Sequence, residues 1–324
     1  MKVMVFGGSG FVGGHLARRL ARDGHEVTVA TRYAPAARHL SVVPGVRIRQ
    51  FSPFDSQSLD RELPGHDAVV NLIGILNERG FGGHGFRRVH VELVESLAEA
   101  AHRQGIRRFL HMSALNAGNG SSFYLQTRGE GEELVRQAQN YGQLDTTMFR
   151  PSTIFGPDDS FLNRFAGLLK ISPVLPLARP GAFFSPVFVG DVVEAMARVL
   201  ADESSYGKTY ELCGTETWSL KELVIWVRDQ LGLKRLVIGL PDWAGRLQGR
   251  VFDFVPGKPF SSDNFNSLTV DSVCMQDGFG ELGIEPWGMS QLAPDWLGQG
   301  GKQVRYQDFR RRAGRNRPGA GAAD

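Results

Sequence analysis

An α/β fold built on a doubly wound parallel sheet is predicted by three observations. The chain opens on an apolar stretch, Lys2-Val-Met-Val-Phe6, that runs into a glycine-rich turn, Gly7-Gly-Ser-Gly-Phe-Val-Gly13. Strand and helix patterns then alternate through the first half of the chain, the signature of crossover units in a parallel sheet. Finally, 324 residues of which 42% are hydrophobic and 22% charged are enough to bury a substantial core in an ordinary globular protein.

Each element follows from its pattern. Lys2–Phe6 reads as a buried strand, and Val12, Leu16 and Leu20 recur at helical spacing beside Ala17 and Ala21 until Gly24 stops the helix. Glu26-Val-Thr-Val-Ala-Thr31 is a second strand, Val46–Phe51 a third and His66–Gly74 a fourth. Gly80-Phe-Gly-Gly-His-Gly85 reads as a flexible loop, a hinge or lid. Val89, Leu93, Leu97 and Ala101 form the stripe of the next helix, closed by Gly105; Arg108–Ser113 is a fifth strand, and a helix opens near Tyr124 and continues through Glu132, Leu134 and Val135. Beyond it, Phe161 to Leu177 reads as an irregular substrate-side segment, Asp191–Leu200 as an amphipathic helix and Lys208–Cys213 as a strand returning to the sheet. Ser219 caps the following helix with Glu222 completing a capping box. From Arg235 to Gly301 the chain is rich in Gly, Pro and Trp; Trp243, Phe252, Phe254, Phe260 and Phe265 either line an apolar cavity or pack a small lobe. The expected division is a dinucleotide-binding domain over 1–231, with substrate-side insertions from about 157, a smaller lobe over 232–301 and a basic tail over 302–324.

The glycine turn carries the first chemistry. A strand, a glycine turn and a helix in that order place backbone N–H groups at a helix N-terminus, where they hold a pyrophosphate that any Cβ would keep at a distance. Gly8, Gly10 and Gly13 satisfy one spacing; Gly7, Gly10 and Gly13 satisfy another. No Lys follows the glycines, which excludes a phosphate loop of the Walker type. Ser9, Phe11 and Val12 lie within the turn. Arg32 follows the second strand where an NAD-specific site places an acid on the ribose 2′-hydroxyl, so a guanidinium there favours NADP(H) over NAD(H); an ordinary surface charge is the alternative. Asp55, just past the third strand, is in reach of the adenine edge. At the end of the fourth strand Leu72, Ile73 and Gly74 are small or apolar enough to lie flat against a cofactor.

Ser113, Tyr124 and Arg128 carry the second chemistry. In a hydride-transfer site a phenol exchanges the substrate proton when a cation lowers its pKa, and a hydroxyl holds the carbonyl oxygen. Tyr124 and Arg128 are four apart and face the same side of a helix.

Composition bounds the rest. A net charge of +3 is too small for a dedicated nucleic-acid binder. Cys213 and Cys274 lie far apart without a C-x-x-C pair, so neither a disulfide framework nor a zinc site is expected and a reducing compartment fits. The first strand begins at once, with no leader pattern, so a cytoplasmic location is expected, at most peripheral to the inner membrane. From Lys302 to Arg317 seven basic residues stand against one acid, Asp308, an arm able to touch anionic lipid or an acidic partner, or simply a solubilising tail.

The glycine spacing, the Ser at the end of the fifth strand and the Tyr-x-x-x-basic segment together resemble an extended or atypical short-chain dehydrogenase/reductase with a Rossmann-like fold. More narrowly, Val70–Leu76, His111–Leu115, Thr127–Glu132, Phe149–Pro157, Phe161–Ala166 and Pro186–Asp191 resemble the family of the nucleotide-binding accessory subunit of respiratory complex I and its bacterial relatives. The resemblance runs from Lys2 to about Leu231. It implies that Gly7, Gly10, Phe11, Val12 and Gly13 hold the pyrophosphate, Arg32 the 2′-phosphate and Leu72, Ile73 and Gly74 the cofactor flank. It also implies that Ser113 and Tyr124 are the catalytic pair and that Pro151 and Ser152 pass the nicotinamide. Two departures stand out: Arg128 replaces the family's Lys, which puts turnover in doubt but not cofactor binding, and His90 stands where extended members often carry Asn. Two functions remain open. One is an NADP(H)-dependent oxidoreductase or epimerase-like enzyme acting on an apolar, quinone-related substrate. The other is a non-catalytic or redox-sensing accessory of a respiratory or quinone-biosynthetic assembly.

Overall fold

The computed structural model describes residues 1–256 and 258–297. In its first half β1 (Lys2–Phe6), α1 (Phe11–Arg22), β2 (Glu26–Thr31), β3 (Val46–Gln50), α2 (Ser56–Glu62) and β4 (Ala68–Asn71) are followed by α3 (His84–Arg87), a π-helical turn (Arg88–Glu92) and α4 (Leu93–Arg103). Then come β5 (Arg108–Met112), α5 (Phe123–Asn140) and β6 (Asp145–Pro151). The second half contains β7 (Ile154–Phe155), α6 (Leu162–Ile171), β8 (Val174–Leu177), β9 (Phe183–Phe184), β10 (Val187–Phe188), α7 (Val189–Val199), β11 (Thr209–Leu212), β12 (Trp218–Ser219), α8 (Leu220–Gln230), β13 (Leu236–Gly239), α9 (Asp242–Phe252) and α10 (Ser262–Ser267).

Seven strands form one parallel sheet in the order β11-β6-β5-β4-β1-β2-β3. The winding reverses between β1 and β4, and the crevice beyond the carboxyl ends of those two strands is where such sheets bind ligands. Both faces are covered. Along β1, Val3 and Val5 join the core shared with α1 and α7, whereas Met4 and Phe6 join the core shared with α2, α4 and α5. Alternate residues of one strand therefore anchor two helix layers, which is why the strand reads as an unbroken apolar run. Burying each large aliphatic side chain contributes about 1.5–3 kcal/mol, so Leu16 and Leu20 of α1 fix that helix on the sheet.

A third core belongs to the smaller lobe. Phe155, Leu162 and Leu169 pack with Leu175, Leu177, Leu223, Val224, Val227, Val237 and Met289. Residues on both sides of position 231 share this core, Leu220, Leu223, Val224 and Val227 of α8 among them. The segment from Phe161 to Leu177 is also more regular than expected: α6 forms because Leu162, Ala166 and Leu169 share a buried face. Asp159 starts it by accepting from the amides of Phe161 at 2.7 Å and Leu162 at 2.6 Å. The capping box of Ser219 and Glu222 is present.

Cys213 and Cys274 form a disulfide with Cα atoms 5.9 Å apart, which corrects the expectation of unpaired thiols. Sequence distance hid the pair; β11 ends at Leu212, and Glu211 Oε2 accepts from the Met275 amide at 2.7 Å, drawing the later segment alongside. With the sulfurs joined, the inference of a reducing compartment loses its basis. The basic tail expected over 302–324 lies outside the described residues.

Candidate dinucleotide and catalytic site

Each glycine of the turn does a different job. Gly7 has φ +79°, and a Cβ there would stand 3.0 Å from the Leu72 carbonyl carbon, so the turn and the end of β4 touch backbone to backbone. At Gly13 a Cβ would come within 2.3 Å of the Gly7 carbonyl oxygen, which is how α1 packs so close to the turn. Gly10 differs from both. It is exposed, and a Cβ would meet only the Gly7 oxygen, at 3.2 Å, with open crevice beyond. Gly10 is also the N-cap of α1 and offers no side-chain acceptor, leaving the first amides of a 12-residue helix directed at that crevice. A cradle that a side chain would fill, lined by helix amides, fits a pyrophosphate.

The end of β2 is tied to this turn. Thr31 Oγ1 lies 3.3 Å from Ser9 Oγ, so Arg32, exposed and next in the chain, stands at the crevice edge. The neighbouring end of β3 offers Gln50, whose Oε1 accepts from the Ala34 amide at 2.9 Å, and no carboxylate. Asp55 spends its carboxylate as the N-cap of α2, accepting from Ser58 Oγ at 2.5 Å and from the Gln57 amide. At the end of β4, Leu72 and Ile73 are partly exposed and Gly74 is exposed. Phe11 and Val12 are half-buried behind the turn.

The second cluster meets at the carboxyl end of β5. Arg128 is buried and its Nη1 donates to the Met112 carbonyl at 2.9 Å, while its Nε finds no acceptor. A Cβ on Gly74 would lie 2.0 Å from Arg128 Nη2, so the guanidinium occupies the space directly beneath the cofactor flank. Its Cζ is 5.5 Å from the centroid of the Tyr124 ring. Ser113, the residue after Met112, is buried and its Oγ has no hydrogen-bond partner among the described residues. Pro151 ends β6 beside Leu212, and Ser152 Oγ donates to the Ser272 carbonyl at 2.7 Å. The structure thus brings Arg128 against Gly74 and the Tyr124 ring and bonds it to the residue before Ser113. Arg32, Ser9 and the three glycines form a separate group where the end of β2 meets the turn before α1.

Three residues that the sequence reading left out complete the floor. His111 on β5 and Asn71 on β4 sit opposite each other in register, and Asn71 Nδ2 donates to His111 Nδ1 at 3.2 Å. Asn71 Oδ1 accepts from the Ile73 amide at 3.1 Å. Burial, and then the nearby Arg128, push the His111 imidazole down to about 3. Polar residues in otherwise apolar strands were the signal available for both. The third, Asp263 of α10, accepts from the amides of Phe123 and Tyr124 at 2.6 and 3.1 Å, so a small-lobe carboxylate starts the helix that bears Tyr124.

His90, noted as a departure, is buried within the π-helical turn. Its Nε2 accepts from the Ile75 amide at 3.2 Å, which leaves the proton on Nδ1, 3.0 Å from Thr127 Oγ1. Thr127 donates in turn to the Phe123 carbonyl at 2.7 Å. Burial and Arg128 hold this imidazole down to about 2, so both histidines around the guanidinium are neutral. The Gly80–Gly85 loop is pinned rather than free: Glu78 accepts from the amides of Gly83 and Gly85 at 2.8 and 2.7 Å, and Lys258 Nζ donates to the Gly80 carbonyl.

A parallel doubly wound sheet, a glycine cradle at its switch point and a Ser–Tyr–basic set drawn from the end of β5 and from α5 define a nucleotide-binding protein of the short-chain dehydrogenase/reductase type. The chain belongs to the NAD dependent epimerase/dehydratase family, whose model matches residues 3–213. It is 29% identical to the mitochondrial NADH-ubiquinone oxidoreductase 40 kDa subunit of Neurospora crassa, over 90% of this chain and 78% of the relative. To the mitochondrial NADH dehydrogenase [ubiquinone] 1 alpha subcomplex subunit 9 of Arabidopsis thaliana it is 32% identical, over 87% of this chain and 73% of the relative. A ceramide reductase of Caulobacter vibrioides is 29% identical over 74% of each chain. Among solved structures, the dTDP-glucose 4,6-dehydratase DesIV of Streptomyces venezuelae with NAD bound superposes with a TM-score of 0.76, at 21% identity, over 96% of this chain and 98% of that one.

The resemblance to the complex I accessory subunit is thereby borne out. The expectation of a cytoplasmic location is not: the Neurospora and Arabidopsis relatives are mitochondrial proteins. Composition and a strand at the N-terminus report how the chain folds and carry no reliable address.

Proposed function

We propose that this protein holds a nicotinamide dinucleotide, NADP(H) in preference to NAD(H), as a nucleotide-bearing accessory of a respiratory or quinone-related assembly. The observation that carries this reading is the placement of Arg128. A guanidinium bonded to the Met112 carbonyl, wedged under Gly74 and flanked by two neutral histidines supplies fixed positive charge beneath the cofactor flank. It has no proton to relay, because an Arg side chain stays protonated. The Gly10 cradle and the α1 amides would take the pyrophosphate, Arg32 the 2′-phosphate, and Leu72, Ile73 and Gly74 the nicotinamide ribose side, with Pro151 and Ser152 opposite. The complex I subunits among the relatives favour the accessory role.

A second reading rests on Ser113 and Tyr124. The nicotinamide would supply or accept hydride; the unpartnered Ser113 hydroxyl would orient a carbonyl oxygen, and the Tyr124 phenol would give or take its proton. An apolar ketone or quinone is the substrate class in that case, and the ceramide reductase among the relatives is consistent with it.

Calorimetric titration of the native protein with NADPH and NADH tests the binding claim. NADPH is expected to bind at least about tenfold more tightly, and Arg32→Ala to narrow that gap, since one charge-assisted contact to a phosphate carries about this much. Equal dissociation constants for the two nucleotides in the native protein would overturn it.

A further inference from the structure

The helix α9 is built inside out. Its inward face is made of Gly245 and Gly249, both buried; a Cβ on Gly245 would press on the Phe265 ring at 2.9 Å, and one on Gly249 would lie 3.1 Å from the Ser262 backbone. Its outward face carries the large apolar side chains. Trp243, Leu247 and Val251 are spaced four apart and exposed by 71, 54 and 55%, and Phe254, just beyond the helix, by 79%. A helix in water normally does the reverse, because large apolar groups gain most from burial.

The exposed apolar surface extends past the helix. Gln248 Nε2 donates to the Pro176 carbonyl at 3.2 Å, tying α9 to the parallel ribbon of β8 and β13. Alternate residues of that ribbon face outward, and they are Val174, Pro176, Leu236 and Ile238, all exposed. On the other side Phe81 packs on Phe254 with ring centroids 5.7 Å apart.

Cations border this surface. Arg246 and Arg250 each precede a member of the apolar stripe by one residue, are exposed, and have no carboxylate partner among the described residues; the Arg246 guanidinium lies 5.2 Å from the centroid of the Phe265 ring. Over residues 232–258 there are five basic side chains, Lys234, Arg235, Arg246, Arg250 and Lys258, against two acids, Asp242 and Asp253. Both acids are engaged elsewhere, Asp242 with Arg179 and Asp253 with the Ser262 amide. The surface therefore presents an apolar, Trp-containing stripe edged by positive charge that no carboxylate neutralises.

We infer that α9, with the outer face of β8 and β13, is an interfacial docking surface for an anionic lipid bilayer. An outward stripe of Trp, Leu, Val and Phe beside Arg is the arrangement that lies in a headgroup layer, its apolar side chains entering the acyl boundary and its cations meeting lipid phosphates. The contact is peripheral: no helix among the described residues is long and apolar enough to cross a membrane. This inference does not rest on the nucleotide reading, and the sites are on different elements.

The test is flotation of the full chain with vesicles of phosphatidylcholine alone and of phosphatidylcholine with about one third phosphatidylglycerol, an anionic fraction large enough to attract basic side chains. The native protein is expected to float with the anionic vesicles about tenfold more strongly than with the neutral ones, as two interfacial arginines would give. The triple variant Trp243→Ser, Leu247→Ser, Val251→Ser should lose at least about tenfold of that binding, and Arg246→Gln with Arg250→Gln should bring it to the neutral-vesicle level. Circular dichroism and nucleotide titration should be unchanged in both variants, because every altered side chain is exposed. Native protein that does not float with anionic vesicles overturns the inference. So does a triple variant that floats as well as the native chain, since another surface, such as the basic segment 302–317, would then carry the contact.

Discussion

Arg128 Nη1 donates to the carbonyl of Met112 at 2.9 Å, so the one buried cation of the Ser–Tyr–basic cluster is anchored to the residue directly before Ser113. Strand β5 and helix α5 are locked together where Ser113 follows the strand, and the Tyr124 ring lies beside the same guanidinium, packed against Phe86 and His90. The same bond holds the guanidinium under Gly74, where it is fixed charge rather than a mobile donor.

From this arrangement, any reductase activity of the native protein should be weak. Arg128→Lys gives up the Met112 bond but leaves an ammonium with room to move below Gly74, and it should raise turnover. Tyr124→Phe should abolish turnover while leaving NADPH affinity within about twofold, because the phenol acts on substrate and not on the nucleotide. NADPH oxidation by the three proteins across a panel of quinones and apolar ketones checks this. A Tyr124→Phe rate equal to the native rate would remove Tyr124 from the chemistry.

Gly10 and Gly13 should respond oppositely to a side chain. At Gly10 a Cβ meets only the Gly7 carbonyl oxygen, at 3.2 Å, so Gly10→Val should fold with a slight shift of the helix and lose nucleotide binding by at least about a hundredfold, its branches filling the pyrophosphate space. At Gly13 a Cβ would overlap the Gly7 carbonyl, so Gly13→Val should chiefly destabilise the fold. Thermal melts alongside calorimetry separate the two. Native-like NADPH affinity in folded Gly10→Val would make the turn purely structural.

Asp191 predicts a pH dependence. Burial raises its carboxyl to about 6, even though the Trp287 amide donates to it at 2.8 Å. Between about 4, its value in the unfolded chain, and 6 the folded state binds more protons, so this group's contribution to stability falls as pH rises through that window. Asp191→Asn keeps an acceptor for Trp287 and removes the charge. It should stabilise the protein by about 1 kcal/mol at pH 8, discounted for partial solvent access, and change nothing at pH 4. Equal shifts at both pH values would show that charge is not the cause.

The disulfide predicts a response to reduction. It closes a 61-residue separation between β11 and the later segment, and removing such a crosslink typically costs about 2–4 kcal/mol. Cys213→Ser should lower the denaturation midpoint accordingly, and reductant should move the native protein to the same value while leaving the variant unmoved. A native midpoint indifferent to reductant would show that the crosslink does not stabilise the fold.

What the sequence determined by itself was local and periodic. The first strand, the glycine turn and α1 were legible because each turns on residues adjacent in the chain: apolar alternation, a glycine with positive φ, a helical stripe. The parallel, doubly wound character of the sheet followed from alternation, and the Ser219 capping box from a spacing of three. Ser113, Tyr124 and Arg128 were legible as residue types at strand and helix ends. What only the tertiary structure decided was every relationship between distant segments. The Cys213–Cys274 bond, the Asn71–His111 pair across neighbouring strands, Asp263 reaching from α10 to start α5, and the guanidinium of Arg128 under Gly74 join positions whose separation in sequence carries no information about separation in space. The inversion of α9 belongs to the same class. Its stripe of Trp243, Leu247 and Val251 reads as a buried face on hydrophobicity alone, and only packing showed Gly245 and Gly249 inside and the stripe in solvent, because the side that is buried depends on what the rest of the fold places against it.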